Sequence, residues 1–118
     1  MKTAKKYKIS GPKPLKMAKG IDGMPVGLKK LMVNLVKLDK NSRVPEHRHK
    51  EEQVTFIFSG ALAFSLEGQK FLLKPGDCIL IPAHAAHSAK AIKKTLACDS
   101  FSPPRYDYLE KLKSGGKK

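Results

Sequence analysis

The sequence contains no tryptophan and only two cysteines, and aromatic residues make up 7% of its 118 residues. Two cysteines are too few for a disulfide framework. Cys78 and Cys98 each lie within an apolar run, so they are predicted to be buried free thiols, with a disulfide between them left open. No apolar run approaches the roughly 20 residues that a membrane-spanning helix requires, so no such helix is predicted.

The chain also has few acidic residues, with 10 Asp and Glu against 24 Lys and Arg, which gives a formal net charge of +14. Seven lysines and no acidic residue lie in residues 1–20, which are predicted to form a basic N-terminal arm. This segment lacks the apolar stretch of a secretory signal, which indicates a cytoplasmic protein. Because no helix-turn-helix or zinc finger accompanies the basic run, nucleic-acid binding is not expected. An anionic small molecule suits the charge better.

The remaining chain, residues 21–118, has the length of a single domain with its own core. Short apolar runs alternate with Gly- and Pro-containing turns, as in an antiparallel sandwich or small barrel. Ile21–Pro25 is predicted to be a loop, and Tyr106–Lys113 one or two helical turns before a short basic tail. The predicted strands are Leu28–Asp39 (with a helix as the alternative), Val54–Ser59, Ala61–Leu66, Phe71–Leu73, Cys78–Ile81, Ser88–Ile92 and Thr95–Phe101.

Three histidines and a glutamine form the strongest candidate for a functional site. His47 and His49 are two residues apart, so a strand would place both imidazoles on one face. A turn after them would bring Gln53 alongside, and His87 supplies a third imidazole. Three nitrogens and one amide oxygen suit a divalent transition metal with open coordination positions. Zn, Ni, Mn and Fe are all candidates, since geometry and availability select the ion.

Three other polar residues lie close to these histidines in the sequence. Glu51 and Glu52 are expected to face solvent, although one of them could support a ligand histidine. His84 is expected either to line the entrance of the site or to lie exposed in its loop.

The segment around the first two histidines resembles the first motif of the cupin family. That motif reads H-x-H, three or four residues, Glu, six residues and Gly. His47, His49, Gln53 and Gly60 match it, with Gln in place of Glu. The resemblance implies an all-β fold, the double-stranded β-helix or jelly-roll barrel of the cupins, over roughly residues 28–105. A neutral glutamine in place of glutamate would leave the metal more strongly charged and less tightly bound.

The segment around the third histidine resembles the second cupin motif, G-x5-P-x-G-x2-H-x3-N. Gly76, Pro82 and His87 stand at the matching positions. The chain departs from the motif at His84, where Gly is usual, and at Ala91, where Asn is usual.

The end of the last predicted strand, Asp99–Arg105, resembles the D-x-F-S-P-P-R signature of the small cupins grouped with the pectin-degradation protein KdgF. The enzyme that gives this group its name opens the ring of 4,5-unsaturated uronates to linear keto sugars. The resemblance implies that Asp99 transfers a proton, Arg105 binds the uronate carboxylate and Phe101 forms a pocket wall. It also implies a metal held by His47, His49, Gln53 and His87. A structural ion pair between Arg105 and Asp99 is the alternative.

The expected function is therefore that of a metal-dependent enzyme acting on a small anionic sugar-type substrate, with uronate ring opening as its most concrete form. One alternative is a non-catalytic cupin that binds or senses a ligand. Another is an Fe(II)-dependent oxygenase, because related three-histidine cupins activate O₂. Small cupins of this kind are often homodimers, and a homodimer is expected here.

Overall fold

The computed structural model describes residues 4–9 and 13–115, and within the C-terminal helix it describes side chains as far as Lys111. These residues form ten strands and one helix. Their bounds are β1 (Leu15–Ala18), β2 (Ile21–Gly27), β3 (Met32–Leu38), β4 (Arg43–His47), β5 (Glu52–Ser59), β6 (Leu62–Leu66), β7 (Gln69–Leu73), β8 (Cys78–Ile81), β9 (His87–Ala91), β10 (Thr95–Ser102) and α1 (Tyr106–Gly115).

The strands form two antiparallel sheets that face each other across an apolar core. The larger sheet has the order β1-β2-β3-β10-β5-β8, and the smaller has the order β4-β9-β6-β7. Alternate residues of each strand face inward, and in the larger sheet these include Val36, Ile57 and Ile81, all buried. Leu62 and Phe64 of the smaller sheet pack against them. The predicted all-β jelly-roll fold is confirmed.

Most predicted strands occur close to their predicted bounds. Strand β8 has the predicted bounds, and β5, β6, β7, β9 and β10 differ from their predictions by at most two residues at either end. Strand β3 lies inside Leu28–Asp39, so the helical alternative for that segment is wrong. The C-terminal helix begins at Tyr106 as predicted. It is the one helix in the described range, and it is too short to cross a membrane.

The predicted loop Ile21–Pro25 is wrong, because this segment belongs to strand β2. The strand pairs with β3 along its whole length, and β1, which lies within the predicted N-terminal arm, pairs with it on the other side. Gly23 suggested a turn, but it serves close packing: a Cβ at this position would lie 2.5 Å from Met17 Sδ and 2.8 Å from Asn34 Oδ1. Tertiary pairing therefore overrides the local turn signal.

The two cysteines do not form a disulfide, and both are free. Cys78 is exposed, so the prediction that it is buried is wrong, whereas Cys98 is partly buried. Cys78 begins strand β8, in which Ile79 and Ile81 are the inward residues. The apolar run around Cys78 therefore covers both faces of a strand and does not show which face is buried.

The glycine of the first cupin-like motif is required by the turn between β5 and β6. Gly60 has a φ of +92°, a conformation that residues with a side chain rarely adopt. A Cβ there would lie 2.6 Å from Thr95 Cα and would also clash with Lys94 O and Thr95 Oγ1. Gly68 provides a contrast, since its φ is +81° and nothing lies within 4 Å of a Cβ built on it.

Replacing Gly60 by alanine should therefore cost more stability than replacing Gly68. We expect Gly68→Ala to lower the free energy of unfolding by about 1 kcal/mol, the cost of the backbone conformation alone. Gly60→Ala should lower it by roughly 3 kcal/mol or more, because the backbone around Lys94 and Thr95 must also move. Urea unfolding of both variants measures the difference, and equal losses would contradict this account of the turn.

Candidate metal centre

Three imidazoles meet at one end of the barrel. His47 ends β4 and His87 begins β9, and the pairing of these strands places the two residues directly opposite each other. His49 lies in the irregular segment that follows β4, so the prediction that one strand carries both His47 and His49 is wrong. The ring centroids of His47 and His87 are 4.2 Å apart, and those of His49 and His87 are 4.9 Å apart. The ligand atoms of all three lie within 4.8 Å of one another, close enough to hold one metal ion.

Backbone carbonyls fix the orientation of all three rings. Each Nδ1 atom lies within hydrogen-bond distance of a carbonyl two residues away: 2.9 Å from Pro45 O for His47, 3.0 Å from Glu51 O for His49 and 2.9 Å from Ala85 O for His87. A carbonyl only accepts, so each Nδ1 carries the hydrogen and each Nε2 presents a lone pair. Among the described residues, His87 Nε2 is buried with no hydrogen-bond partner.

Gln53 presents a fourth lone pair to the same volume. Its side-chain Nε2 donates to Thr55 Oγ1 at 2.8 Å, which directs Oε1 toward His49 Nε2 at 3.0 Å. Two lone pairs at this distance repel unless a positive charge lies between them. A proton is disfavoured there, because burial and then the positive charge of Arg105 lower the pKa of His49. Burial likewise lowers the pKa of His87 to about 4.

The donor set therefore fits a divalent transition metal. Three neutral imidazole nitrogens and an amide oxygen match the preference of Zn, Ni, Mn and Fe ions for nitrogen and oxygen ligands. The ring orientations match as well, since metal-bound histidines usually donate their other nitrogen to a carbonyl or a carboxylate. His47, His87 and Gln53 also line a pocket that opens between the two sheets.

Asp99 lies in the same pocket, in the middle of a row of polar side chains. It is paired with Thr55 of β5 on one side and with Asn34 of β3 on the other. Thr55 donates a hydrogen bond of 2.7 Å to Asp99 Oδ1. Asn34 is fully buried, and its Oδ1 has no hydrogen-bond partner in the part of the chain that the structure describes. Burial raises the pKa of the Asp99 carboxyl group to about 6, against the opposing effect of the hydrogen bonds from Thr55 and Gln53.

Arg105 faces the pocket from the segment between β10 and α1, and its guanidinium group is held on three sides. Asp107 accepts hydrogen bonds of 3.2 Å from Nε and 3.0 Å from an Nη atom. The Tyr108 ring lies below the guanidinium carbon, 4.1 Å from it to the ring centroid. Glu51 Oε1 lies 3.9 Å from Nε. The alternative ion pair between Arg105 and Asp99 is not formed among the described residues.

Glu51 is the residue whose environment was predicted least well. It is buried, with 6% of its surface exposed, so the prediction that it faces solvent is wrong. Its carboxylate lies 3.5 Å from His49 Nδ1, in agreement with the alternative that one of the two glutamates supports a ligand histidine. Glu52 is exposed as predicted. Glu51 lies in a bend, where the alternation of strand residues gives no information on burial.

Two further predicted residues differ in their relation to the pocket. Phe101 is buried, and its ring packs edge-on against His49 with a centroid distance of 5.8 Å and forms part of the pocket wall. His84 is exposed and is not one of the clustered histidines. It has a φ of +67°, which explains why glycine is usual at this position of the motif.

Several residues of the site were not predicted from the sequence. Thr55 and Tyr108 line the pocket, and so does Met17, which lies in the segment predicted to be a solvated arm. Thr55 could have been predicted from its position, because it lies two residues after Gln53 and therefore on the same face of a strand. No local pattern signals Met17 or Tyr108, because each reaches the pocket through tertiary packing.

Comparison with known proteins agrees with this architecture. The cupin domain model matches residues 34–98. The structure of KdgF from Halomonas sp. is similar with a TM-score of 0.84 and 31% identity, over 90% of this chain and 99% of that one. The pectin degradation protein KdgF of Dickeya dadantii is 28% identical over 81 residues, which is 67% of this chain and 74% of that protein.

A shorter similarity connects the chain to an oxygenase. Acireductone dioxygenase of Bacillus cereus is 45% identical over 47 residues, which is 36% of this chain and 28% of that protein. The match to the cupin model covers more than half of this chain, and the Halomonas structure is similar over nearly all of it. The chain therefore belongs to the cupin family, as a small cupin that resembles KdgF.

Proposed function

We propose that this cupin is a metal-dependent enzyme that opens the ring of 4,5-unsaturated uronates to give linear keto sugars. The observation that carries the proposal is the content of one pocket. His47, His87 and Gln53 line it together with Arg105 and with Asp99, whose carboxyl group has a raised pKa. His49 completes the histidine cluster. The similarity to two KdgF proteins, over most of the chain, supports the same reaction.

The proposed metal ligands are His47, His49, Gln53 and His87. All four are neutral, so the charge of a divalent ion is not reduced by its ligands. When bound, such an ion acts as a Lewis acid toward substrate oxygens. The chain's own contribution is to orient the four donors before the metal arrives, through three backbone carbonyls and the Thr55 hydroxyl.

Asp99 is the proposed proton-transfer group. With a pKa of about 6, its carboxyl group can both accept and return a proton near neutral pH. The proton of the hemiacetal hydroxyl at C1 passes to Asp99 as the bond between C1 and the ring oxygen breaks. This leaves an aldehyde at C1 and an enolate at C5. Return of the proton to C4 gives a ketone at C5, so the product is an isomer of the substrate and no oxidant is required.

Arg105 is the proposed binding group for the substrate carboxylate. Its planar guanidinium group can bind both carboxylate oxygens, and Tyr108 and Asp107 restrict its rotation. The carboxylate of the substrate is attached to C5, next to the oxygen on which negative charge develops. A cation at this position therefore stabilises that charge as well as holding the substrate.

A second candidate function is an Fe(II)-dependent oxygenase. The short similarity to acireductone dioxygenase favours it, together with the three clustered histidines. The two reactions differ in their use of oxygen, because an oxygenase consumes O₂ and ring opening does not. An oxygen electrode therefore separates them: O₂ uptake with iron-loaded protein and an organic substrate would favour the oxygenase.

We also propose that the protein is a homodimer, formed through the outer face of the larger sheet. Strands β5 and β8 expose three large apolar side chains there: Phe56 at 47%, Phe58 at 56% and Leu80 at 66%. The partly buried Leu96 and Cys98 of β10 continue this face. Two chains with a net charge of +14 repel each other over most of their surfaces. The apolar patch on each chain is where two copies can approach and remove apolar area from water.

Metal binding should stabilise the protein, and the effect should depend on His87. At a free metal concentration about 100 times the Kd, the gain is about 2.7 kcal/mol, or roughly 10 °C in Tm for a domain of this size. Differential scanning fluorimetry with Zn²⁺ or Ni²⁺ measures the shift. His87→Ala should abolish it, whereas the control variant His84→Ala should retain it. Loss of the shift in both variants, or in neither, would argue against the proposed ligand set.

Asp99 and Arg105 should affect different kinetic constants. Asp99→Asn should lower kcat by about 10²–10⁴-fold, the usual contribution of a positioned acid or base, with the metal content unchanged. Arg105→Lys should chiefly raise KM, by roughly tenfold, because a lysine cannot form the paired hydrogen bonds. Loss of the ultraviolet absorbance of the C4=C5 bond follows the reaction. Arg43→Lys, an exposed change on β4, is the control. Full activity of Asp99→Asn would rule out the proposed proton transfer.

A charge in the apolar face should separate the proposed dimer. Phe58→Glu should give a monomer at concentrations at which the wild-type protein is dimeric, because each buried copy of the carboxylate would lack a partner. Leu72→Glu is the matched control: Leu72 is 55% exposed but lies on β7 of the other sheet. Light scattering after size-exclusion chromatography gives the mass of each variant. A monomeric wild-type protein, or equal disruption by both variants, would contradict the assigned interface.

A further inference from the structure

The hydroxyl group of Thr55 connects two parts of the pocket that have separate proposed roles. It accepts a hydrogen bond of 2.8 Å from Gln53 Nε2, and it donates one of 2.7 Å to Asp99 Oδ1. The first partner is a proposed metal ligand, and the second is the proposed proton-transfer group. Both hydrogen bonds are short, and Thr55 itself is 3% exposed, so solvent has little access to the hydroxyl.

The order of donors and acceptors in this chain is fixed by its chemistry. A carboxylate oxygen can only accept, so the Thr55 proton points toward Asp99 and the Thr55 lone pairs face Gln53. Of the two polar atoms of the Gln53 amide, only the nitrogen can donate a hydrogen bond to the Thr55 lone pairs. The amide oxygen is therefore turned toward the histidines. A side-chain amide has two similar orientations, and the hydroxyl selects the one that presents oxygen to the metal site.

The backbone keeps these three residues together. Gln53 and Thr55 are two residues apart on β5, so both face the interior of the barrel. Asp99 lies directly opposite Thr55 in the pairing of β5 with β10. Neighbouring strands are about 4.8 Å apart, which is the span that a hydroxyl between two polar groups can bridge. The alignment thus depends on strand register and not on a mobile loop.

We propose that Thr55 is a positioning residue that holds Gln53 in its metal-binding orientation and Asp99 in its proton-accepting orientation. The role of Asp99 in this inference rests on the proposed function. The role of Gln53 rests only on the donor set of the metal site. This positioning also has an electronic consequence. A cation at the amide oxygen makes the amide N–H a stronger donor, so metal binding strengthens the hydrogen bonds along the chain. Removal of the hydroxyl should therefore weaken metal binding and proton transfer together.

Thr55→Val tests this inference, because valine keeps the shape and the β-branch of threonine and removes only the hydroxyl. We expect the affinity for Zn²⁺, measured by competition with a chromogenic chelator, to fall about 10- to 100-fold, as is usual when a partner of a metal ligand is lost. With unsaturated uronate as the substrate, kcat of the metal-saturated enzyme should fall by a similar factor. KM should change little, because Arg105 is untouched. Thr55→Ser, which restores the hydroxyl, should recover both within about threefold.

Thr95→Val is the matched control. Thr95 is also a buried threonine of the larger sheet, with 2% exposure, but its hydroxyl bonds to the backbone of Ala61 and Lys93, away from the pocket. This variant should lose stability and keep its metal affinity. If Thr55→Val does not fold, Thr55→Ala replaces it as the variant without a hydroxyl.

Two outcomes would overturn the inference. One is a hydroxyl-free variant with wild-type metal affinity and kcat. The other is a Thr55→Ser variant as impaired as Thr55→Val, which would mean that the methyl group and not the hydroxyl matters. Failure of the proposed function is distinguishable from either result. If the wild-type protein does not convert uronates, the kinetic comparison cannot be made. The chelator competition still decides whether Thr55 orients Gln53.

Discussion

Four lone pairs point into one small volume at the end of this barrel, and the arrangement of the site follows from that constraint. They belong to the Nε2 atoms of three histidines and to Oε1 of Gln53. His49 Nε2 and Gln53 Oε1 lie 3.0 Å apart, and His87 Nε2 is buried with no hydrogen-bond partner among the described residues. Burial lowers the pKa of His49 and of His87 and so opposes their protonation. A divalent cation resolves the conflict, because it is the positive charge that neutral donors of this kind bind best.

The rest of the pocket is arranged around those donors by strand pairing and by the C-terminal segment. Strand β10 lies between β3 and β5 and places Asp99 next to Thr55 and Asn34. Beyond the end of β10, the chain turns so that Arg105 faces the same pocket. Helix α1 then supplies Tyr108 and Asp107, which fix the guanidinium group. Buried Glu51 lies between Arg105 and His49 and connects the arginine side of the pocket with the histidine cluster. A substrate with a carboxylate next to its reacting oxygen suits this arrangement.

The sequence predicted the parts of the molecule that depend on local signals. Strands after Val54 could be located because glycine and proline mark the turns between them. The proposed ligands could be selected because His47, His49, Gln53 and His87 fit a motif with fixed spacing. Strand β2 was missed because Gly23 and Pro25 are typical of loops, and only pairing with β3 reveals that Gly23 provides room for Asn34 and Met17.

Residues that act through tertiary contacts could not be predicted from the sequence. Buried Glu51 contacts Arg105, which comes 54 positions later in the chain. Thr55 connects Gln53 to Asp99 only because of the register between β5 and β10. Neither relation is encoded in a local pattern, since strand register is set by the whole sheet.

The central claim is that the four converging lone pairs hold one divalent metal ion. Anomalous diffraction at the absorption edge of the metal found in the purified protein tests it most directly. The account predicts a single strong peak per chain, within roughly 2.0–2.3 Å of the Nε2 atoms of His47, His49 and His87 and of Gln53 Oε1. Absence of this peak from the His47→Ala/His49→Ala variant would complete the assignment of the metal site. A metal held elsewhere, or a wild-type protein that takes up no metal on reconstitution, would contradict the account.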